Sequence, residues 1–508
     1  MVSLHAAVRY WSRVDAARCA MIYGDERINY GELKARVELA AGMLRSKGVA
    51  AGDVVALLMK NSAAFVELAL ATSHLGAVLL PINYRLGTEE VAYILGHAQA
   101  RLLLVDEEFS VQSGGFPAVI RLDASAQADS RRLGQDIEPV HVDTALTPDK
   151  LFRLMYTSGT TDRPKGVMHS YQNYHWKCLD HITALSLGRD EKLLVVGPLY
   201  HVGAFDLPGM AVLMTGGMLA VMRDFNEHDV LSLIAREGLT GAWLAPVMLS
   251  RLLSYAQRGA HNLTSIRWVI GGGERTPEQR IKDFGSMFTQ GRYVDAYGLT
   301  ETCSGDTMMD PGRELEKIGS TGRALPHVSL EIRSDAGEVL PAGEEGEICL
   351  RGPKVTSGYW RDEQKTRDSF HGDWFRTGDI GYLDTDGYLF LTDRKKDMII
   401  SGGENIASSE VERVLYQMPQ VAEVAAIGLP DERWGECVAA VVVLKPGQSL
   451  DLTQLLAFCA GHLGGFKIPK KLFIQTELPR NASGKVLKRE LRDLLGAPTT
   501  SPHFRSLK

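Results

Sequence analysis

Short apolar runs alternate along the chain with longer segments in which apolar residues recur at helical spacing. SAAFVELALATSHLGA is one of the longer segments, and the apolar runs include DVVALLM, ARLLLVD, KLLVVGPLY, GGMLAVM and SIRWVIGGG. Strands that alternate with helices in this way are typical of an α/β fold with largely parallel sheets. We therefore predict a large N-terminal domain of several subdomains with parallel sheets.

The pattern changes at about residue 328. VSLEIRSDAGEVLPAGEEGEICLRG and GYLDTDGYLFLTD have turn signals at short spacing and apolar residues at every second position, which predicts hairpins in a small antiparallel region. The segment DRKKDMIISGGENIASSEVERVL is followed by a helix, by the apolar strands VAEVAAIGL and CVAAVVVL, and by another helix. This order predicts a small α+β domain. We place the domains at residues 1–395 and 396–508.

Composition excludes several classes of protein. The net charge of −6 and the lack of a basic tract argue against a nucleic-acid partner. The six cysteines are scattered and form no CxxC pair, so a cytoplasmic protein is expected rather than a zinc or disulfide framework. The longest uncharged stretch, residues 207–222, is short and broken by glycines, which indicates a buried helix, turn and strand rather than an integral membrane segment.

The stretch LMYTSGTTDRPKGVMHS, residues 154–170, carries the first candidate chemistry. RLMYT predicts a strand, SGTTDRPKG a loop and VMHSYQNYHWKCL a helix. Glycines let backbone N–H groups approach phosphate oxygens, hydroxyls donate hydrogen bonds and lysine neutralises charge, so the loop suits a polyphosphate. It is not a Walker A loop, because Lys165 precedes its glycine. The alternative interpretation is a solvated polar turn.

Other polar motifs follow apolar runs. In DAYGLTET, Glu301 suits a divalent cation and Thr300 a phosphate. In WFRTGDIGYLD, the carboxylate of Asp379 can accept from a ribose diol, with Arg394 nearby in LTDRKKD, and Lys485 lies in PRNASGKVLKREL. Asp379 could instead be a turn residue, Glu301 a charge at a helix N-terminus and Lys485 a solvated lysine.

Taken together, these motifs resemble the adenylate-forming superfamily of acyl-CoA synthetases, aryl-CoA ligases, luciferases and peptide-synthetase adenylation domains. The similarity covers nearly the whole chain and rests on YTSGTTDRPKGV, YGLTE, TGD, DRKKDMIISGGENIASSEVE and NASGK. It implies a large N-terminal domain followed by a small mobile C-terminal domain. It also implies ATP, Mg²⁺ and coenzyme A as the cofactors.

The resemblance also implies roles for individual residues. ATP contacts are expected at Thr157, Ser158, Gly159, Thr160, Thr161, Lys165, Gly272, Gly273, Glu274, Tyr297, Asp379 and Arg394. Catalytic roles are expected for Lys485, Thr300, Glu301 and His201, with Glu301 binding Mg²⁺ and Lys485 bridging the substrate carboxylate and the α-phosphate. Coenzyme A contacts are expected at Arg85, Gly402, Gly403, Trp434, Phe466 and Lys470, and the domain hinge at Lys396.

One position departs from the family pattern. Asp162 stands where the phosphate loop of the family usually has glycine. An acid that faced a triphosphate would be repelled, so we expect Asp162 to point outward and to pair with Arg163. Aspartate also tolerates positive φ better than most residues, so we expect activity to survive this change.

The resemblance implies a two-step reaction. A carboxylate attacks the α-phosphate of MgATP to give an acyl adenylate and pyrophosphate, and the thiol of coenzyme A then displaces AMP. The acyl pocket is expected behind a gate at His201, and its residues Val202, Gly203, Asp206, Trp243, Ala245, Val247 and Cys303 are mostly apolar. We therefore expect a fatty or aromatic acid as the small-molecule partner, and the sequence leaves a homodimer open.

Two alternatives remain at this point. Asp206 in FDLPG could hold the α-ammonium of an amino acid, although an N-cap before LPGMAVLM, with proline two residues on, is the favoured interpretation. A luciferase-like oxygenase that acts on its own adenylate is the other alternative.

Overall fold

The computed structural model describes most of the chain. It covers residues 2–123, 137–141, 145–157, 164–203, 205–272, 276, 278–394, 397–401, 404–431, 434–460, 462–480 and 486–496. The described residues contain helices α1 (His5–Val14), α2 (Tyr30–Ser46), α3 (Ala63–His74), α4 (Thr88–Ala98), α5 (Tyr171–Leu185), α6 (Met210–Met214), α7 (Glu227–Glu237), α8 (Pro246–Ser254), α9 (Glu278–Met287), α10 (Glu363–Asp368), α11 (Ser408–Leu415), α12 (Leu452–Ala460) and α13 (Lys488–Gly496).

The strands of the same residues are β1 (Cys19–Tyr23), β2 (Glu26–Asn29), β3 (Val54–Leu58), β4 (Val78–Pro81), β5 (Ala100–Asp106), β6 (Val119–Leu122), β7 (Leu151–Thr157), β8 (Lys165–Ser170), β9 (Lys192–Val195), β10 (Met218–Val221), β11 (Gly241–Trp243), β12 (Trp268–Gly272), β13 (Arg292–Tyr297), β14 (Thr307–Met308), β15 (Arg323–Ala324), β16 (Ser329–Arg333), β17 (Gly346–Arg351), β18 (Phe370–His371), β19 (Trp374–Leu383), β20 (Leu389–Arg394), β21 (Ile399–Ser401), β22 (Glu404–Ile406), β23 (Val421–Asp431), β24 (Gly435–Leu444) and β25 (Lys471–Gln475). Glu107–Ser113, Arg258–Ala260, Thr300–Thr302 and Gly465–Lys467 are 3₁₀ segments, and Phe205–Gly209 is π-helical.

The described residues form two compact units. The first contains residues 1–273, 280–329 and 350–375, and the second contains residues 274–279, 330–349 and 376–508. The predicted domain boundary after residue 395 stays a prediction, since residues 395 and 396 lie outside the described ranges.

Two largely parallel sheets build the first unit, which confirms the predicted α/β class. One sheet has the order β6-β5-β3-β4-β7-β8 and is parallel except for the antiparallel pair β7–β8. The other has the order β15-β14-β13-β12-β11-β9-β10-β1-β2, with antiparallel strands only at its two edges. The five apolar runs of the sequence correspond to β3, β5, β9, β10 and β12.

Helix α3 packs against both sheets of the first unit. Every residue of α3 is buried, and the helix contacts both β4 of one sheet and β1 of the other. A largely apolar helix that is buried on all sides is stable only where neighbours cover it completely. The side chain of Ser62 accepts a hydrogen bond from the Phe65 N–H at 3.1 Å and so begins the helix.

The prediction of a helix directly after the phosphate loop is wrong at its start. Residues 165–170 form β8, which pairs with β7, and α5 begins only at Tyr171. Ser170 is the N-cap, because its hydroxyl accepts from the Asn173 N–H at 3.1 Å while the Asn173 side chain accepts from the Ser170 N–H. The two strands on either side of the predicted loop therefore form a hairpin, while residues 158–163 lie outside the described ranges.

In the second unit, β19 and β20 form an antiparallel pair, with Tyr382 opposite Phe390. Strands β16 and β17 belong to the same sheet as β19 and β20. Strands β21 to β24 form a second sheet of order β22-β21-β24-β23, in which β25 pairs with β24 in parallel. Helices α11 and α12 cover it around a core that includes Val411, Val438 and Leu455. The predicted hairpins and the small α+β architecture are confirmed.

Among the described residues, no helix combines the length and the apolar character needed to cross a lipid bilayer.

A buried carboxylate joins α2 to its neighbours. The side chain of Glu38 is 2% exposed, and Lys34 and His141 each donate a hydrogen bond to it at 2.8 Å, while His5 lies 3.9 Å away. Burial alone would raise the pKa of Glu38, but these three neighbours outweigh it and lower the pKa to about 2.

This lowered pKa makes part of the stability depend on pH. Since the folded state favours the ionised form, the contribution is complete above pH 4.5 and is lost as the pH falls towards 2. Acidification over this window should lower the free energy of unfolding of the wild type by up to about 3 kcal/mol more than that of Glu38→Gln. Urea unfolding at pH 7, 4.5 and 3 measures the difference, with exposed Glu363→Gln as the control. Equal acid sensitivity of wild type and Glu38→Gln would contradict the assignment.

Candidate active site

The two strands that flank the predicted phosphate loop are held in register. Thr157 at the end of β7 pairs with Lys165 at the start of β8. Burial and the nearby Lys365 lower the pKa of Lys165, while Asp362 and Glu301 act in the opposite direction. The Lys165 ammonium group therefore lies within electrostatic range of the predicted metal ligand Glu301.

The turn after β13 carries Thr300 and Glu301. The Tyr359 hydroxyl donates to Glu301 Oε1 at 2.9 Å, and the Thr356 N–H donates to the Glu301 carbonyl at 2.7 Å. Tyr359 packs with Met155 of β7 and with Val202, one of the residues expected in the acyl pocket. The structure therefore brings the turn and part of the predicted pocket together with β7.

The turn fits one Mg²⁺ coordination site shared with a nucleotide. Among the described residues, no group of three or more His, Cys, Asp and Glu side chains could hold a metal ion alone. Mg²⁺ usually binds one or two carboxylates together with substrate phosphates and waters, so a single oriented carboxylate such as Glu301 suits it.

Asp206 forms a buried ion pair with Arg153. The Arg153 guanidinium donates to Oδ1 and Oδ2 of Asp206 at 3.0 and 2.8 Å, and the Tyr174 hydroxyl donates to Oδ1 at 2.6 Å. Burial would raise the pKa of Asp206, but Arg153 and Lys177 hold it below its usual value. Lys177 also donates to the Asp206 carbonyl. The Asp206 carboxylate is completely buried and satisfied by neighbours within the protein.

The prediction that Asp206 caps a helix is therefore wrong. Asp206 lies within the π-helical segment, and the N-cap of α6 is Gly209, which has no side-chain oxygen. A bidentate guanidinium stabilises a buried carboxylate more than backbone N–H groups at a helix end would. This pairing also leaves no place for Asp206 as a partner of a substrate ammonium group.

The segment that carries His201 is anchored after β9. The Asn61 side chain donates to the Gly197 carbonyl and accepts from the Leu199 N–H, both at 2.8 Å. Burial lowers the pKa of His201 to about 4, and Nδ1 of His201 has no hydrogen-bond partner among the described residues. The imidazole is therefore neutral near pH 7.

The predicted acyl-pocket residues are mostly apolar and buried. A Cβ at Gly203 would lie 2.8 Å from the Trp243 ring, so glycine is needed there for the indole to pack. Burial raises the pKa of the Cys303 thiol to about 12, which makes it a small apolar group rather than a nucleophile. Ala245 is buried, and Val247 is half-buried on α8.

The predicted adenine contacts Gly272 and Tyr297 lie at the ends of adjacent strands. Gly272 pairs with Ala296, and a Cβ at Gly272 would lie 2.6 Å from the Ala296 carbonyl oxygen. Tyr297 is buried at the end of β13. Both positions are at the carboxyl edge of parallel strands, where ligands of open α/β sheets bind.

In the second unit, Asp379 follows Gly378, whose φ of +73° favours glycine. The Asp379 N–H donates to the Thr377 hydroxyl at 3.1 Å, and the backbone of Asp379 pairs with Arg394 on β20. Asp379 therefore lies within β19 rather than in a tight turn, and its contact with a ribose stays a prediction.

The predicted coenzyme A contacts Trp434 and Lys470 lie together, with the Lys470 ammonium 4.6 Å from the Trp434 ring centroid. Phe466 is exposed in the same unit. In the first unit, Arg85 is exposed over the Tyr84 ring, and Tyr84 meets Tyr200, the neighbour of His201, edge to face.

Several predicted residues lie outside the described ranges. They are Ser158, Gly159, Thr160, Thr161, Asp162, Gly273, Glu274, Lys396, Gly402, Gly403 and Lys485, together with the side chain of Arg394. Their roles stay predictions.

Sequence reasoning missed Arg153, His169 and Tyr359. Arg153 interrupts the apolar strand LFRLMYT, and Asp206 interrupts an apolar stretch. Two opposite charges in buried segments were a usable signal for an ion pair, because unpaired charges are rarely buried. No comparable signal marks Tyr359.

Comparisons with known proteins identify the family of this chain. The family model described as AMP-binding enzyme matches residues 8–360, and that described as AMP-binding enzyme C-terminal domain matches residues 410–485. A feruloyl-CoA synthase of Amycolatopsis sp. is 36% identical over 490 residues, covering 96% of this chain and 97% of the relative. A long-chain-fatty-acid–CoA ligase of Mycobacterium tuberculosis is 36% identical over 488 residues, covering 93% and 94%.

A solved structure is similar as well. The o-succinylbenzoate CoA synthetase of Bacillus subtilis, in complex with its acyl-adenylate intermediate, superimposes with a TM-score of 0.87 at 32% identity and covers 96% of this chain and 98% of that one. The chain therefore belongs to the AMP-binding enzyme family, within the adenylate-forming acyl- and aryl-CoA ligases. It is an AMP-forming acid–thiol ligase that uses ATP, Mg²⁺ and coenzyme A.

Proposed function

We propose that this enzyme activates an apolar carboxylic acid, aromatic or fatty, and transfers the acyl group to coenzyme A in the cytoplasm. The observation that carries the proposal is the 2.6 Å hydrogen bond from His169 Nε2 to the Thr300 carbonyl. It joins the β7–β8 hairpin, which bears the predicted phosphate loop, to the turn that bears Glu301. A phosphate-binding loop and a metal-binding carboxylate are the two parts that MgATP requires.

In the first step, a carboxylate oxygen of the acid attacks the α-phosphorus of ATP, and the bond to pyrophosphate breaks. Thr157 and Lys165 bind phosphate oxygens from the two ends of the hairpin loop, and Tyr359 orients Glu301. When bound, Mg²⁺ neutralises phosphate charge. Lys485 neutralises the approaching carboxylate and the α-phosphate, whose mutual repulsion otherwise opposes the reaction.

In the second step, the thiolate of coenzyme A attacks the acyl carbon, and the bond between that carbon and the AMP oxygen breaks. Trp434 and Lys470 form a joint aromatic and cationic surface that suits an adenine nucleotide, since a base can stack on the indole and a phosphate can pair with the ammonium group. Arg85 is a second exposed cation for its phosphates. Lys396 is the proposed hinge, at which one residue's backbone angles absorb the change between the two steps.

The acid is proposed to be apolar because of the residues near His201. Trp243 packs against Gly203, Val202 is buried, and the Cys303 thiol is protonated. The relatives named above act on an aromatic acid, a fatty acid and o-succinylbenzoate. Since Asp206 is paired with Arg153, an amino-acid substrate would lack its expected ammonium partner.

A screen of acids tests this proposal. We expect pyrophosphate release with aromatic or fatty acids, stimulation by coenzyme A, and formation of one AMP for each acyl-CoA. Amino acids should give less than about one-tenth of that rate, because one missing buried polar partner costs roughly 1–3 kcal/mol. Preferred use of amino acids would overturn the substrate class, and oxygen consumption that depends on the acid would favour an oxygenase.

A further inference from the structure

A continuous chain of buried hydrogen bonds runs from Asp206 to the turn that carries Glu301. Arg153 of β7 binds Asp206 on one side, and its Nε and Nη2 atoms lie 3.2 and 3.0 Å from His169 Nδ1 on the other. Arg153 and His169 are direct cross-strand partners in the β7–β8 hairpin. His169 Nε2 then reaches the Thr300 carbonyl at 2.6 Å. Arg153, His169 and Asp206 are all completely or almost completely buried.

These contacts determine which nitrogen of His169 carries the proton. A carbonyl oxygen only accepts, so Nε2 must carry the hydrogen that it donates to Thr300. Nδ1 is then the acceptor for the Arg153 guanidinium, which can only donate. Burial and Arg153 lower the pKa of His169 to about 3, in keeping with a neutral ring. Arg153 therefore selects the tautomer that can hold Thr300.

The turn beyond Thr300 needs such an anchor. Cys303 and Ser304 have φ values of +57° and +68°, and both are non-glycine residues in the left-handed region. Backbone of this kind persists only where surrounding contacts hold it. The Thr300 carbonyl accepts from the Cys303 N–H at 3.1 Å as well as from His169, so His169 binds the same oxygen that closes the turn.

We propose that His169 is a positioning residue that acts through the Thr300 carbonyl to place the Glu301 carboxylate for Mg²⁺, with Arg153 and Asp206 fixing its tautomer. The inference rests on the proposed role of Glu301 as the Mg²⁺ ligand. Tyr359 holds the Glu301 side chain, Thr356 holds its carbonyl, and His169 holds the residue before it. Loss of one such outer contact typically lowers metal affinity by roughly 10- to 100-fold.

Two substitutions of His169 separate its two hydrogen bonds. The amide of asparagine reaches about as far as Nδ1, so His169→Asn keeps an acceptor for Arg153 but has no donor for Thr300. The amide of glutamine reaches about as far as Nε2, so His169→Gln restores the donor to Thr300. The two variants lose different halves of the same buried network, which makes them matched controls for each other.

The experiment is calorimetric titration of the full chain with α,β-methylene-ATP, once with Mg²⁺ and once with EDTA. The readout is the dissociation constant with EDTA divided by the dissociation constant with Mg²⁺. This ratio measures the coupling between metal and nucleotide without any turnover. We expect His169→Asn to lower this ratio about tenfold, at the lower end for an outer contact, and His169→Gln to stay within about threefold of wild type. Melting temperatures of both variants report the structural cost separately.

Each possible result either supports or overturns the positioning role of His169. Equal ratios in wild type and His169→Asn, or equal losses in both variants that follow their melting temperatures, would overturn the positioning role and leave the proposed function intact. If wild type itself binds the nucleotide equally well with and without Mg²⁺, the role of Glu301 and the inference both fail. If His169→Asn does not fold, a ratio for His169→Gln more than threefold below wild type overturns the inference, and a wild-type ratio supports it.

Discussion

Lys485→Ala is expected to slow acyl-adenylate formation by about two to three orders of magnitude, the usual loss for one electrostatic stabiliser of a transition state. The substrate carboxylate and the α-phosphate are both anions, and Lys485 is proposed to lie between them. The second step has no such encounter of two anions at the same atoms. Thioester formation from a supplied acyl adenylate should therefore change far less. Single-turnover measurement of each step makes the comparison.

Two further variants serve as controls for this prediction. Lys445→Ala removes an exposed lysine at the end of β24 and should change neither step. Lys396→Pro should give the opposite selectivity, because proline fixes φ near −65° and hinders the proposed hinge rotation that follows adenylate formation. Equal losses in both steps for Lys485→Ala would refute its role. A uniform loss for Lys396→Pro with a lowered melting temperature would refute the hinge.

Asp206→Asn is expected to lower the free energy of unfolding by about 3–5 kcal/mol, the range for breaking one side of a buried ion pair. The substitution leaves the Arg153 guanidinium charged in a site where its side chain is only 1% exposed. It also weakens the acceptor of the Tyr174 hydroxyl bond at 2.6 Å. A helix cap would instead tolerate this substitution, because asparagine caps about as well as aspartate. Urea unfolding followed by tryptophan fluorescence measures the change.

Two comparisons isolate the ion pair. Asp190→Asn removes the fully exposed partner of Arg18, 3.4 Å away, and should leave the free energy of unfolding close to that of wild type. Combined Arg153→Met and Asp206→Leu removes both charges and should be less destabilising than Asp206→Asn alone, because the buried Arg153 charge is removed together with its partner. Wild-type stability in Asp206→Asn, or a double variant less stable than the single one, would contradict this account.

The pattern of apolar residues predicted much of the fold. Strand runs such as ARLLLVD are mostly buried on both faces, so local sequence was enough to identify β5. It was not enough at Val167, where the apolar spacing of VMHSYQNYHW fits a helix, yet pairing with β7 holds residues 165–170 in a strand. Tertiary pairing outweighed local periodicity there.

The candidate site, too, could be predicted only in part from the sequence. Motif residues such as Lys165 and Glu301 could be named from the sequence because their chemistry is local. The contacts that hold them could not, since Arg153 and Asp206 are 53 residues apart and His169 and Thr300 are 131 apart. Only the folded chain brings the opposite charges, and the imidazole and carbonyl, within hydrogen-bond distance.

The central claim is that an acyl adenylate is the intermediate, and an oxygen-labelling experiment tests it most directly. The enzyme is supplied with its preferred acid labelled with ¹⁸O in the carboxylate, together with MgATP and coenzyme A, and the nucleotide product is examined by mass spectrometry. If a carboxylate oxygen attacks the α-phosphorus and the thiolate later breaks the bond between carbon and oxygen, one labelled oxygen must remain in AMP. Label in pyrophosphate or inorganic phosphate, or AMP without label, would contradict the account.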